Sequence, residues 1–134
     1  MKNNIVLISI MPKYVKQILN GNKKFEYRKS IPKNKFDTIL IYSTVPDKKI
    51  VAIAKVEKTL KLSIKELWDT TKKYGGISKK NFFEYFKNRK IGYAYKLSKI
   101  RKINKFISDI NIKHPPQNFM YVKFNKLNEL GVHI

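Results

Sequence analysis

The first part of the chain changes its hydrophobic period twice, which predicts a strand, a helix and a second strand in succession. Ile5–Ile10 is mostly apolar and β-branched, as in a buried strand. Pro12 suits the first turn of a helix over Pro12–Asn20, whose apolar residues share one face. Gly21 then ends the helix as a left-handed residue, and Lys24–Arg28 alternates with the period of a strand.

The rest of the chain is predicted to contain short strands and two further helices. Ser63 and Glu66 form a capping box that opens a helix to about Lys73, and Ser78 caps the next helix. Lys99–Lys105 is basic and is predicted to be irregular. The remaining predicted elements are four strands and a tail, at Phe36–Ser43, Ile50–Thr59, Ile91–Leu97, Asn118–Phe124 and Leu127–Ile134.

This order of elements predicts the fold class. Most strands follow one another directly, whereas a parallel βαβ sheet needs a helix between successive strands. The length of 134 residues and the hydrophobic content of 43% suit one domain with one ordinary core. We therefore expect a single α+β domain over residues 1–134, built as a small mixed β-barrel with helices packed at its ends.

The charge balance indicates a polyanionic partner. The chain carries 30 basic and 9 acidic residues, a formal net charge of +21. An AT-rich coding bias explains why lysine exceeds arginine, but it does not explain the scarcity of acidic residues. RNA is the expected partner and DNA is an alternative, although three arginines are few for reading the major groove. No apolar run approaches the roughly 20 residues that span a bilayer, so no membrane partner is expected.

The scarcity of metal-binding side chains excludes several kinds of site. The chain has no cysteine, so disulfides and thiolate chemistry are excluded, and a cytoplasmic location is the simplest expectation. Its two histidines, His114 and His133, form no cluster with other zinc ligands. We therefore predict no metal site and no cofactor.

The turn and strand after the first helix offer candidate chemistry. Glu26 and Arg28 lie two residues apart on a predicted strand and so share one face, and Lys23 lies on the adjoining turn. Glu26 and a desolvated Lys23 of lowered pKa would suit acid–base catalysis. The favoured interpretation is that Glu26 orients Arg28 or Lys23 to hold a phosphate or the edge of a base.

Three segments, in their order and spacing, carry a family resemblance. They are Ser9-Ile10 with Gly21-x-Lys23-x-x-Glu26-x-Arg28, then Ile41-Tyr42-Ser43 with the turn at Pro46, and finally Pro115-Pro116-Gln117-Asn118-Phe119. Together they resemble the ASCH family, a branch of the PUA-like barrels. The resemblance implies an RNA-binding cleft between the barrel and the first helix. Some family members resemble enzymes, either amidohydrolases of acetylated cytidine or ribonucleases.

The amidohydrolase branch differs from this chain at one position. Its lysine matches Lys23, but the threonine expected three residues later is Glu26 here. A carboxylate does not replace a hydroxyl nucleophile in the same step, so this departure argues against deacetylation.

Aromatic, hydroxyl and basic residues complete the predicted cleft. Phe82, Phe83 and Phe86 form an apolar stripe at helical spacing and are assigned to the core. Tyr85 lies off this stripe, so the ring of Tyr85 is available to stack on a base. The predicted nucleic-acid-binding residues are Ser9, Lys23, Glu26, Arg28, Lys29, Tyr42, Ser43, Tyr85, Lys87, Arg89 and Gln117. Lys23 and Glu26 are the predicted catalytic pair if the cleft is an active site of a small hydrolase acting on a modified nucleoside or on RNA.

Overall fold

A computed structural model describes residues 4–131, which form one six-stranded sheet with helices packed against it. Two single-turn 3-10 helices lie at Lys72–Tyr74 and Ile107–Ile110. The strands and α-helices are β1 (Asn4–Ile10), α1 (Pro12–Leu19), β2 (Phe25–Arg28), β3 (Phe36–Ser43), β4 (Lys49–Ser63), α2 (Ile64–Thr71), α3 (Lys79–Tyr85), β5 (Ile91–Lys105), β6 (Phe119–Val122) and α4 (Lys126–Glu129).

Two segments carry more regular structure than their sequence pattern predicts. The prediction that Lys99–Lys105 is irregular is wrong, because this segment continues β5 and pairs with β4 as far as Lys105 opposite Ile50. Its charged side chains are largely exposed to solvent, so the local sequence gives no strand pattern. The strand forms because its backbone pairs with the distant strand β4. The predicted C-terminal tail likewise contains the short helix α4, and its last three residues lie outside the described part of the chain.

The sheet is open, so the prediction of a closed barrel is wrong. The strand order is β2-β5-β4-β3-β1-β6, with β1 parallel to β3 and every other pair antiparallel. The edge strands β2 and β6 have four residues each and do not pair with each other. A side chain of β2 reaches across instead: Arg28 donates from Nη2 to the carbonyl of Ser9 at 2.9 Å and from Nη1 to Oδ1 of Asn118 at 2.5 Å.

The core lies on both faces of the sheet. Alternate residues of β1 pack into different clusters, Ile5 and Leu7 on one side and Val6 and Ile8 on the other. This two-sided burial explains why β1 has a continuous apolar run. A third cluster holds α2 and α3 against β2 and β5 and contains Tyr27, Leu67, Phe82, Phe86 and Ala94.

The aromatic stripe of α3 is buried at two of its three positions. Phe82 and Phe86 lie in the core as predicted, but Phe83 is 37% exposed. Its ring packs edgewise on Phe82 and tilts against Trp68 at the surface, 6.0 Å between centroids. The assignment of Phe83 to the core is therefore wrong, because the neighbouring helix covers only one side of its ring.

Candidate functional site

A cavity of about 250 Å³ opens where the end of β1, the start of α1, β2 and α3 meet. We call it the Lys23 pocket. It brings together five of the predicted site residues, and its lining is Ser9, Ile10, Met11, Tyr14, Lys23, Glu26, Tyr27, Arg28, Ile77, Asn81 and Tyr85.

Lys23 is the most unusual residue of this pocket, because its side chain is only 2% exposed. Its Nζ donates a 2.6 Å hydrogen bond to the carbonyl of Gly75. The same atom lies 4.6 Å from the ring centroid of Tyr27 and 5.3 Å from that of Tyr14, at cation–π distance. Burial lowers the pKa of Lys23 to about 8, an effect that nearby Glu26 opposes and Arg28 reinforces.

Two glycines allow the lysine to lie this deep. Gly76 has a positive φ of 64°, and a Cβ on it would lie 2.6 Å from Cβ of Lys23. A Cβ on the preceding Gly75 would collide with the hydroxyl of Tyr27. The glycine pair therefore forms a cradle for the stem of Lys23, which lies 52 residues away in sequence from Gly75.

Glu26 and Arg28 form an ion pair at the pocket wall, on the shared face that strand alternation predicts. Nη2 of Arg28 lies 2.9 Å from Oε2 of Glu26, with 12% of the arginine and 9% of the glutamate side chain exposed. Together with the bonds to Ser9 and Asn118, this contact fixes the guanidinium plane. Its Nε is buried and has no hydrogen-bond partner among residues 4–131.

Tyr85 forms another wall of the pocket. Its hydroxyl donates to the carbonyl of Tyr27 at 3.3 Å, and burial raises the pKa of this phenol. Nζ of Lys29 lies 4.8 Å from the ring centroid of Tyr85, so the aromatic wall carries a cation at its rim.

The other predicted site residues lie elsewhere. Ser43 is fully buried, donates from Oγ to Asp47 at 2.7 Å and does not line the Lys23 pocket. Lys87 and Arg89 are exposed in the segment after α3 and do not line the Lys23 pocket. Tyr42 and Gln117 line a second, larger cavity, and Ser9 lines both cavities.

Sequence reasoning missed three residues that shape the pocket. Tyr14 and Asn81 line it, and Gly75 accepts the hydrogen bond of Lys23. Asn118, rather than the predicted Gln117, contacts Arg28. Adjacent residues entering a strand point to opposite sides, and the pattern alone did not determine which amide faces the arginine.

The described residues offer no group of three or more histidine, cysteine or acidic side chains placed to hold a metal ion. Among residues 4–131, no helix has the length and apolar character needed to span a membrane.

Comparison with known proteins places the chain in a family. The family model of the ASCH domain matches residues 8–106 of this chain. A Zymomonas mobilis protein named as an ASCH domain-containing ribonuclease is 27% identical over 130 residues, which cover 92% of this chain and 88% of that protein. The crystal structure of ASCH from the same organism superposes with a TM-score of 0.87 at 24% identity, covering 95% of this chain and 93% of that one.

A third relative matches over only part of its length. Large ribosomal subunit protein uL22 of Ureaplasma parvum serovar 3 is 29% identical over 121 residues, which is 88% of this chain. The chain spans about two fifths of that protein, 39% of its length. Because the family model covers well over half of the chain and the fold agrees, the chain belongs to the ASCH domain family.

Proposed function

We propose that the chain binds single-stranded RNA and that one unpaired nucleotide enters the Lys23 pocket. The cavity of about 250 Å³ is below the range of drug-sized sites, so it suits a single nucleoside rather than a longer ligand. RNA-binding domains take unstacked bases into such sites, where aromatic rings and polar groups contact them. Tyr14, Tyr27 and Tyr85 supply the rings here.

The observation that carries the proposal is the incomplete hydrogen bonding of a buried cation. The ammonium of Lys23 has three donors, and among the described residues it makes one hydrogen bond, to Gly75. A buried charge with unused donors is costly unless a ligand or water completes its shell. A phosphate oxygen or a base carbonyl would do so, and Arg28 beside it adds a second, rigidly held cation.

The names of two relatives agree with an RNA-related role. One relative is a ribonuclease, and the other is a protein of the large ribosomal subunit. The net charge of +21 supplies the attraction for phosphate that either role requires.

Fluorescence anisotropy with a labelled single-stranded RNA tests the proposal. If Glu26 orients Arg28 towards the ligand, Arg28→Ala should weaken binding about 5- to 150-fold, the loss expected for one good charged contact. Glu26→Gln should cost less, and the double variant should bind no worse than Arg28→Ala, because coupled residues are not additive. A DNA of the same sequence reports whether the partner is RNA or DNA.

Two controls make this test decisive. Arg101→Ala removes the same charge from a β5 residue outside the pocket lining and should change binding little. The double variant is the second control. Arg28→Ala alone leaves the buried Glu26 carboxylate without its partner and so destabilises the fold, whereas the double variant removes that charge as well. Unchanged RNA binding in both Arg28→Ala and the double variant would exclude this pocket as the site.

A hydrolase acting in the same pocket is the second candidate, and the lowered pKa of Lys23 favours it. A pKa of about 8 allows Lys23 to give up a proton near neutral pH. In RNA cleavage, Glu26 would take the proton of a 2′-hydroxyl, whose oxygen then bonds to phosphorus. The bond from phosphorus to O5′ breaks, and Lys23 would protonate O5′. The products are a 2′,3′-cyclic phosphate and a 5′-hydroxyl.

Incubation of single-stranded RNA with and without divalent cations tests this candidate. Glu26→Gln should abolish cleavage while leaving binding nearly intact, and a substrate with 2′-deoxyribose throughout should resist. Cleavage that persists in Lys23→Met would exclude this acid–base pair.

The same protein preparation should show little or no deacetylation of N4-acetylcytidine, because Glu26 stands where a threonine would supply the hydroxyl nucleophile. Robust turnover abolished by Lys23→Ala would contradict this expectation.

A further inference from the structure

The second cavity is an open groove of about 1000 Å³ between the β3–β4 turn and the segment that follows β5. We call it the Phe106 groove. Its lining mixes apolar, amide and basic side chains, among them Tyr42, Val45, Lys48, Phe106, Lys113 and Gln117. No role in the proposed nucleotide pocket accounts for this surface.

Phe106 is the distinctive feature of the groove, because at 53% exposure it is the most exposed phenylalanine among residues 4–131. Its backbone N–H donates to Oδ2 of Asp109 at 2.8 Å, which fixes the residue at the start of the 3-10 helix. Nζ of Lys49 lies 5.2 Å from the ring centroid. A rigidly mounted ring beside a cation is the combination on which nucleic-acid bases stack.

The charges around the groove favour a polyanion over an apolar or basic partner. Lys48 and Lys113 line it, and Lys49 lies at the ring of Phe106. The two neighbouring carboxylates are already engaged, since Asp47 accepts from Ser43 and Asp109 accepts from the backbone of Phe106.

The groove and the Lys23 pocket share a wall at one residue. Ser9 lines both cavities, and its hydroxyl donates to the carbonyl of Pro116 at 2.6 Å, which holds the rim between them. A strand of RNA with one nucleotide in the pocket would therefore lead its neighbours over Ser9 into the groove.

We propose that the Phe106 groove is a second RNA subsite, in which a base adjacent to the one in the Lys23 pocket stacks on Phe106. Lys48, Lys49 and Lys113 contact the backbone phosphates, and the amide of Gln117 faces the base edges. This inference rests on the proposed function, because the strand enters from the Lys23 pocket. With this subsite, affinity depends on whether the RNA is long enough to extend from the Lys23 pocket into the groove.

The test titrates an octanucleotide of single-stranded RNA into wild type, Phe106→Ala and Phe106→Trp. Phe106→Ala should bind the octanucleotide about 5- to 150-fold more weakly than wild type, because one base loses its stacking partner. Phe106→Trp should bind it as tightly as wild type or more tightly. Phe83→Ala is the matched control, since Phe83 is also exposed but lines neither cavity, and it should bind as wild type.

The outcomes separate this inference from the proposed function. If wild type binds no octanucleotide even at low salt, the proposed function fails and the subsite fails with it. If wild type binds and Arg28→Ala weakens binding, but Phe106→Ala binds as wild type, the pocket stands and the subsite is overturned. A loss in Phe106→Ala that Phe106→Trp does not restore would also overturn the stacking role.

Discussion

At the scale of single residues, Lys23 shows how burial converts a common side chain into an unusual one. Of the chain's 30 basic residues, Lys23 is held inside the fold with a pKa lowered to about 8. Removing the ammonium group from water costs free energy, and one carbonyl, two aromatic rings and the Glu26 carboxylate partly replace the lost water. A group held at such cost marks a candidate functional site.

The free energy of unfolding should therefore rise between pH 8 and pH 10.5. In this window the unfolded chain keeps the proton of Lys23 while the folded protein has released it, so the unfolded state binds more protons and stability increases with pH. The contribution is fully present above pH 10.5, is lost as the pH falls to 8, and amounts to about 3 kcal/mol.

Urea denaturation of wild type and Lys23→Met from pH 7 to 10 measures this contribution. Other titrating groups occur in both proteins and cancel in the difference. The stability of wild type relative to Lys23→Met should increase across this range, and a constant difference would mean that Lys23 keeps its ordinary pKa.

At the scale of elements, the connection between α2 and α3 determines the pocket as much as β2 does. Gly75 and Gly76 follow the 3-10 helix at Lys72–Tyr74, and their lack of Cβ atoms leaves room for Lys23 and Tyr27. The backbone N–H of Lys24 also donates to the carbonyl of Tyr74 at 2.7 Å. The turn before β2 and the turn before α3 thus form one packed unit.

Gly76→Ala should destabilise the protein more than Gly21→Ala. Both glycines have a positive φ, of 64° and 87°, so alanine is strained at each by about 1 kcal/mol. At Gly21 the new Cβ meets nothing within 4 Å, whereas at Gly76 it meets the stem of Lys23. Overpacking should add about 1–3 kcal/mol at Gly76. Urea denaturation measures the free energy of unfolding of both variants. Equal decreases would show that a Cβ at Gly76 is accommodated without overpacking against Lys23.

At the scale of the whole molecule, the net charge of +21 governs how the protein meets its partner. The affinity for single-stranded RNA should fall linearly with salt on logarithmic axes, with a slope that counts the phosphates contacted. Binding that does not depend on salt would contradict a phosphate-directed role for this charge.

Variants in the basic segment after α3 refine this measurement. If Lys87 and Arg89 contact phosphates, replacing both with glutamine should reduce the salt slope by about 0.7 for each lost contact. Lys58→Gln with Lys61→Gln is the matched control, because these exposed residues on β4 line neither cavity. An unchanged slope in the Lys87/Arg89 variant would place the RNA path elsewhere.

The sequence by itself determined the features that depend on neighbouring residues. Alternation over four residues put Glu26 and Arg28 on one face, the capping box at Ser63 started α2, and Gly21 ended α1. The family followed from the order of short segments, and the charge followed from composition alone. Each of these depends on interactions within a few residues, for which the local pattern carries enough information.

Only the tertiary structure decided the features that depend on distant segments. Gly75 meets Lys23 across 52 residues, and Asn118 meets Arg28 across 90. The open sheet, the burial of Ser43 and the division of the predicted cleft into two cavities are of the same kind. Packing between distant elements sets which face of a strand is covered and which side chains meet, and periodicity along the chain does not contain that information.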